Sequence, residues 1–149
     1  MGAYSRSQCR EWALKFLYQA DFVGGRGPED LERFWSHFHP EGPGVPAYLR
    51  ELVAGAAAHQ DELDALIARY SEHWRLERMT VVDRNLLRLA AFELLYLPKI
   101  PPKVVINEAV ELAKRYGSDD SGAFVNGILD QIRAAQERQG SGVRDQGSE

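Results

Sequence analysis

The chain has 149 residues, of which 44% are hydrophobic and 27% are charged, and its formal net charge is -4. This length and this apolar share suffice for one compact domain with a closed core. The sequence has no run of about 18 apolar residues and no apolar segment of a secretory signal at its start, so we expect a cytoplasmic protein without a membrane span. The single cysteine, Cys9, excludes an internal disulfide and a zinc site built from paired cysteines.

The charge is distributed unevenly along the sequence. Residues 28–72 carry nine acidic and three basic side chains, whereas residues 73–139 carry nine acidic and ten basic side chains. A net negative charge argues against nucleic-acid binding through bulk charge alone. Because the acidic surplus is confined to one internal segment, a local basic patch can still provide a short nucleic-acid site.

Helical periodicity dominates the first half of the sequence. Apolar residues recur at spacings of three and four over residues 5–22, which predicts a first helix, and the glycines of residues 24–27 end it. Pro28 followed by two acidic residues is typical of a helix start, so a short second helix is predicted there. Turn residues predict a loop, and Pro46 then opens what we expect to be the longest helix, which continues to Tyr70.

The second half contains the most apolar segment. After a break near Met79, residues 86–95 are apolar around most of a helical circumference, so this helix is expected to be the central helix of the core. The prolines of residues 98–102 must interrupt it. The next helix is expected to end at Gly117 in a left-handed cap conformation.

The last helix is predicted to begin at the capping residues 119–121. No segment shows the period-two alternation of a strand, so the predicted fold class is all-α, a compact bundle of six to seven helices in two small helical subdomains. Residues 1–138 are predicted to form a single domain with halves of about 5–78 and 79–138. Residues 139–149 are predicted to be a disordered tail.

No pattern of a catalytic or metal site is found. None of the 4 histidines has the i, i+4 histidine partner and neighbouring acid of a helical zinc site. Glu108 and Glu111 could imitate a carboxylate cluster, but the Glu-x-x-His partners of such a cluster are missing. The P-loop, GxSxG and HExxH patterns are also missing, and Cys9 has no evident histidine base. We therefore expect no enzyme, no cofactor and no metal.

Two groups of basic residues are candidates for nucleic-acid binding. Arg6 and Arg10 lie one helical turn apart, so both can point toward a phosphate backbone, although two solvated arginines are the simpler alternative. Lys114 and Arg115 precede Gly117 and the start of the last helix, where a ligand can approach backbone N–H donors. The simpler alternative there is a capped turn.

Four segments resemble the NusB family in the order in which they occur. They are REWALKFLYQ at residues 10–19, VDRNLLRLA at 82–90, IPPKVVINEAVELAK at 100–114 and SGAFVNGILD at 121–130. The resemblance covers about residues 5–133, and the acidic middle, residues 24–75, matches only in its helical pattern.

The resemblance implies an all-α antitermination factor. Such a protein binds the single-stranded boxA RNA of ribosomal RNA operons jointly with ribosomal protein S ten (NusE), within an antitermination complex of RNA polymerase and other Nus factors. It implies RNA contacts for Arg6, Arg10, Asp120 and Phe124, with core packing as the alternative for Phe124. It places Asp83 on the side that meets the ribosomal protein, unless Asp83 is simply an N-cap.

One departure from the family pattern matters. Where many relatives have a dense arginine run, this chain has SRSQCR at residues 5–10. Because each lost phosphate contact lowers affinity, we expect RNA binding by the chain alone to be weak and to depend on the partner. The alternative is a helical protein–protein interaction module, or a homodimer, that binds no RNA.

Overall fold

The structure is a computed structural model that describes residues 3–72 and 75–147, with side chains described up to residue 139. Within these residues the fold is all-α, as predicted, with seven α-helices, one 3-10 turn and no strand. None of the described helices combines the length and apolar content needed to cross a membrane. The helices are α1 Arg6–Val23, α2 Pro28–Phe38, α3 Ala47–Ala58, α4 Gln60–Tyr70, α5 Val81–Tyr96, α6 Pro102–Tyr116 and α7 Ser121–Gly147, and the 3-10 turn is Leu76–Arg78.

A capping box fixes the start of α1. The Ser5 hydroxyl accepts from the Gln8 backbone N–H at 3.0 Å, and the Gln8 side chain accepts from the Ser5 N–H at 2.8 Å. This reciprocal pair satisfies two N–H groups that a helix start leaves open. It places Arg6 in the first turn of α1, at the surface.

The helix predicted to be the longest is divided at His59 into α3 and α4. The ring of Phe92 on α5 lies so close to Gly55 that a Cβ there would be 2.0 Å from the Phe92 Cζ. The His59 ring stacks on Tyr96 of α5, with centroids 4.1 Å apart. Both α3 and α4 pack against α5. The prediction of one long helix was therefore wrong.

The central position predicted for α5 is confirmed. This helix packs against α1, α3, α4, α6 and α7, and Leu87 and Ala91 are completely buried. One hydrophobic cluster extends from Cys9 on α1 to Ile132 on α7. Because it joins residues of both predicted halves, the division into two subdomains stays a prediction.

Gly117 ends α6 in an extended conformation, with φ -99° and ψ -163°, so the predicted left-handed cap was wrong. Glycine is needed there for space, because a Cβ would lie 2.4 Å from the Ser121 Oγ and 2.8 Å from the Ala113 carbonyl oxygen. The Ser118 N–H donates to the Ser121 Oγ at 3.0 Å. This turn fixes α7 relative to α6.

The backbone of α7 is helical to Gly147, beyond the predicted domain end at residue 138. The sequence predicts a disordered tail over 139–149, and the structure differs from this over 139–147. Residues 136–139 are Gln, Glu, Arg and Gln, which favour the helical state and take the helix past residue 138, whereas the three glycines of residues 140–147 do not favour it. Residues 148 and 149 lie outside the described residues.

Candidate nucleic-acid interface

Arg10 lies inside the protein, with 5% of its surface exposed. Its Nε donates to the Glu93 Oε1 at 2.9 Å, its Nη2 donates to the Glu93 Oε2 at 2.8 Å, and its Nη1 donates to the Glu108 Oε1 at 3.1 Å. The Tyr48 hydroxyl also donates to Glu93. The RNA contact predicted for Arg10 disagrees with this placement, because the guanidinium points into the bundle and joins α1 to α5 and α6.

The pKa values of Arg10 and Tyr48 are both shifted by their contacts with Glu93. Burial lowers the pKa of Arg10, but the hydrogen bonds and charge of Glu93 outweigh burial and raise it overall. Burial and the hydrogen bond to Glu93 raise the pKa of the Tyr48 phenol. At neutral pH Arg10 is therefore cationic and Tyr48 is a neutral donor. Glu93 was missed from the sequence, although a lone acid between Phe92 and Leu94 in the most apolar helix is a signal for a buried partner.

Arg6 is exposed, unlike Arg10. Its guanidinium carbon lies 5.5 Å from the centroid of the Tyr48 ring, a distance typical of a cation–π contact. Within the described residues no carboxylate pairs with Arg6. Its charge is therefore available to a phosphate, and the Tyr48 ring restricts where it points.

A cavity of about 340 Å³ lies between the 3-10 turn, the start of α5 and the turn between α6 and α7. We name it the α5–α7 cavity. It brings together three side chains predicted to bind RNA or protein, Asp83, Asp120 and Phe124. Asp120 is exposed at the cavity, and Phe124 is half-buried because it also packs against the core. Both the binding role and the packing role of Phe124 thus have support.

Asp83 is the buried member of the α5–α7 cavity, with 7% of its surface exposed. Its Oδ1 is buried and has no hydrogen-bond partner in the part of the chain that the structure describes. Its backbone N–H donates to the Thr80 Oγ1 at 3.1 Å, so Thr80 is the N-cap of α5 and Asp83 lies inside the first turn. The N-cap alternative for Asp83 was wrong.

Lys114 is exposed on α6 beside the start of α7. Its Nζ lies 3.7 Å from the Glu111 Oε2, and a Cβ on Gly122 would be 3.2 Å from its Cγ. It does not line the α5–α7 cavity. The neighbouring Arg115 instead pairs with Glu11 on α1 at 2.9 Å. Lys114 thus keeps an exposed, weakly paired charge beside the start of α7.

A second concave site, which we name the aromatic groove, has a volume of about 650 Å³. Sequence reasoning missed it, because the groove forms only when α1 and α2 pack beside Tyr116 of α6 and Val82 of α5. Val82 lines the aromatic groove and the next residue, Asp83, lines the α5–α7 cavity, so the two sites flank the start of α5. The groove is lined by Trp12, Leu14, Lys15, Tyr18, Gln19, Phe34, Phe38, Val82 and Tyr116.

Within residues 3–72 and 75–147, no three or more histidine, cysteine, aspartate or glutamate side chains are grouped so as to hold a metal ion. The expectations of no cofactor and no catalytic site stay predictions.

The chain is similar to known proteins both in sequence and in structure. The NusB family model matches residues 7–134 of the chain. The transcription antitermination protein NusB of Myxococcus xanthus (strain DK1622) is 49% identical over 138 residues, which cover 91% of this chain and 97% of the relative. A solved structure of T. maritima NusB is 41% identical with a TM-score of 0.74, over 89% of this chain and 92% of that chain. A chain in a crystal structure of the antitermination factors NusB and NusE in complex with dsRNA is 32% identical with a TM-score of 0.74, over 87% of this chain and 96% of that chain. The chain therefore belongs to the NusB family.

Proposed function

We propose that this chain is a transcription antitermination factor that binds the single-stranded boxA RNA of ribosomal RNA operons together with ribosomal protein S ten (NusE). It works in the cytoplasm within an antitermination complex of RNA polymerase and other Nus factors. It is a binding adaptor and not an enzyme. Relatives named as antitermination proteins, and a structural neighbour that contains NusB, NusE and dsRNA, support this proposal.

The observation that carries the proposal is the half-buried ring of Phe124 at the α5–α7 cavity. A ring that is only partly covered can stack on an unpaired base, which is how proteins commonly recognise single-stranded RNA. The exposed cations of Arg6 and Lys114 are available to phosphates, which position the RNA without reading its sequence.

Arg10 contributes to this function indirectly. Its ion pairs with Glu93 and Glu108 hold the start of α1 against α5 and α6. Tyr48 donates to the same Glu93 and lies beneath the Arg6 guanidinium. The buried network therefore positions Arg6, and Arg10 is a positioning residue instead of an RNA contact.

The experiment compares boxA RNA with a scrambled RNA of the same length and composition, each titrated with the full chain in the presence of NusE. Fluorescence anisotropy of the labelled RNA gives both affinities at one fixed salt concentration, because affinity for nucleic acid depends steeply on salt. We expect clearly tighter binding of boxA. Equal affinities for the two RNAs would contradict the proposal.

The second candidate function is a protein-interaction module without RNA, and the aromatic groove favours it. Exposed apolar surface of this kind marks interaction sites in soluble proteins. Phe38→Ser removes an exposed ring from the groove, and Phe22→Ser removes an exposed ring that does not line it. Under the second candidate, sedimentation analysis of the chain alone shows a dimer that Phe38→Ser weakens and Phe22→Ser does not.

A further inference from the structure

We propose that Tyr4 is a positioning residue for RNA binding. Its ring packs on Trp35 and His39 at the end of α2, holds the first turn of α1 in place and so presents Arg6 to a phosphate. This inference rests on the proposed function and adds to it a residue that acts on the RNA through Arg6.

The first argument is the packing of the Tyr4 ring. Its centroid lies 5.2 Å from that of Trp35, with the ring planes at 78°, and 6.0 Å from that of His39, with the planes at 87°. Aromatic pairs favour such edge-to-face geometry. Tyr4 is half-buried and packs against the hydrophobic core, although it lies outside α1, directly before the N-cap Ser5. The chain is therefore anchored two residues before Arg6.

The second argument is that the two rings beneath Tyr4 are held by contacts of their own. Trp35 is almost completely buried, and its Nε1 donates to the Pro43 carbonyl oxygen at 3.0 Å. The His39 ring stacks on the Trp35 ring with centroids 3.7 Å apart, and the His39 backbone N–H donates to the Trp35 carbonyl oxygen at 2.8 Å. This platform is thus fixed without Tyr4, and Tyr4 gains order from it.

The third argument is that the first turn of α1 has little other support. The side chains of residues 5–8 are all exposed. The backbone bonds of this turn run back to Ser5, since the Gln8 N–H donates to the Ser5 Oγ at 3.0 Å and the Cys9 N–H donates to the Ser5 carbonyl oxygen at 2.9 Å. Helix ends open at a low cost in free energy. The turn is held by the buried Cys9 on one side and by Tyr4 on the other.

The fourth argument is what an ordered turn does for Arg6. The Tyr48 ring restricts the Arg6 guanidinium, but it does not fix the backbone that carries this side chain. An arginine on an open turn must be ordered when it meets a phosphate, and the cost of ordering weakens binding. The anchor at Tyr4 meets part of this cost before the RNA arrives. Because Arg6 is the exposed arginine of the SRSQCR segment, affinity should depend strongly on its order.

The test is a double-mutant cycle on Tyr4 and Arg6, with boxA RNA titrated against the full chain at saturating NusE. The variants are Tyr4→Ala, Arg6→Ala and both together, and Tyr4→Phe is the conservative variant that keeps the ring. Phe22→Ala is the matched control, because it removes an exposed ring from the other end of α1, about 24 Å from Arg6 by the helical rise. Amide hydrogen exchange of each free variant reports whether the first turn opens and whether the rest of the chain stays folded.

Tyr4→Ala should bind boxA RNA about threefold to tenfold more weakly than the wild type, the effect of ordering one long side chain on association. Tyr4→Phe and Phe22→Ala should bind like the wild type. In the Arg6→Ala background, Tyr4→Ala should cause no further loss. Faster exchange in Tyr4→Ala should be confined to the first turn, at the amides of Gln8 and Cys9.

Two results would overturn the positioning role and leave the proposed function intact. One is an unchanged affinity in Tyr4→Ala. The other is an equal loss with and without Arg6, which would mean that Tyr4 contacts the RNA itself. Faster exchange along the whole chain of Tyr4→Ala would also contradict the inference, because Tyr4 would then stabilise the entire fold. Equal binding of boxA and scrambled RNA by the wild type would instead overturn the proposed function.

Discussion

Arg10 and Glu93 form a bidentate ion pair inside the helical bundle, with Nε 2.9 Å from Oε1 and Nη2 2.8 Å from Oε2. Both residues are almost completely buried, and they are 83 positions apart in the sequence. The pair connects the first helix to the central helix. Arg10 thus has a structural role, because it holds the start of α1 against α5.

Arg10→Ala should lower the free energy of unfolding by about 3–5 kcal/mol, because it leaves the Glu93 carboxylate buried without its main partner. Urea denaturation checks this. Arg6→Ala is the matched control, since Arg6 is exposed on the same helix and should change stability by less than about 0.5 kcal/mol. In salt titrations of RNA binding, Arg6→Ala should reduce the slope by about 0.7, the value of one phosphate on a single strand. If Arg10→Ala instead kept full stability and reduced the slope, Arg10 would be a phosphate contact after all.

Phe124→Ala should weaken RNA binding by about 1–3 kcal/mol, the value of one lost base stack. Its effect on stability should stay below the roughly 3–5 kcal/mol of a fully buried phenylalanine, because Phe124 is only half-buried. Val125→Ala is the control, since the neighbouring Val125 is completely buried. It should lower the melting temperature and leave RNA affinity unchanged. A large loss of stability in Phe124→Ala with intact RNA affinity would assign this ring to the core alone.

Asp120→Asn should strengthen RNA binding, because an exposed carboxylate near the RNA repels phosphates. Asp119→Asn makes the same charge change one residue away, outside the α5–α7 cavity. Isothermal titration with boxA RNA should show a larger gain for Asp120→Asn than for Asp119→Asn, with both proteins fully folded. A weaker Asp120→Asn complex would mean that this carboxylate accepts a hydrogen bond from the RNA.

Asp21 should make stability depend on acid pH. Burial raises the pKa of Asp21, but hydrogen bonds from Arg84 and Asn85 and the charge of Arg26 outweigh burial, so the folded value lies below the ordinary 3.8. A lowered folded pKa means that the carboxylate stabilises the protein above pH 3.8, and that this contribution is lost as the pH falls through the lower folded value.

Asp21→Asn should therefore be about 1–3 kcal/mol less stable than the wild type at neutral pH, as expected for lost hydrogen bonds to a charged group. The difference should shrink as the pH falls below 3.8. Urea denaturation between neutral and strongly acidic pH measures it, with the exposed Asp119→Asn as a variant that should follow the wild type throughout. A difference that does not change with pH would show that Asp21 has an ordinary pKa in the folded state.

The helix ends that depend on local chemistry could be predicted from the sequence. The helix-opening Pro28 placed the start of α2 correctly, because its effect is exerted within one turn. Apolar periodicity placed the start of α1 near residue 5, where the structure shows the Ser5 capping box. The division at His59 could not be predicted. It lies beside the contacts of Gly55 and His59 with α5, which only the packed structure brings together.

The candidate site could be predicted only in part, because the sequence shows local spacing along a helix but not the contacts between packed helices. The spacing of Arg6 and Arg10 correctly indicated neighbouring positions on α1, but not that Arg10 turns inward to Glu93 while Arg6 stays outside. Periodicity defines the face of a helix and not the partner that this face meets. The meeting of Asp83 with Phe124 at one cavity likewise depends on how α5 and α7 pack.

Joint recognition of RNA is tested most directly by the affinity of the full chain for boxA RNA with and without NusE. Because Arg10 is buried, Arg6 is the exposed arginine of the SRSQCR segment at residues 5–10, and so few phosphate contacts should bind RNA weakly. We expect weak binding by the chain alone and binding at least about tenfold tighter with NusE, a coupling free energy of about 1.4 kcal/mol. Equal affinities in the two titrations would contradict joint recognition.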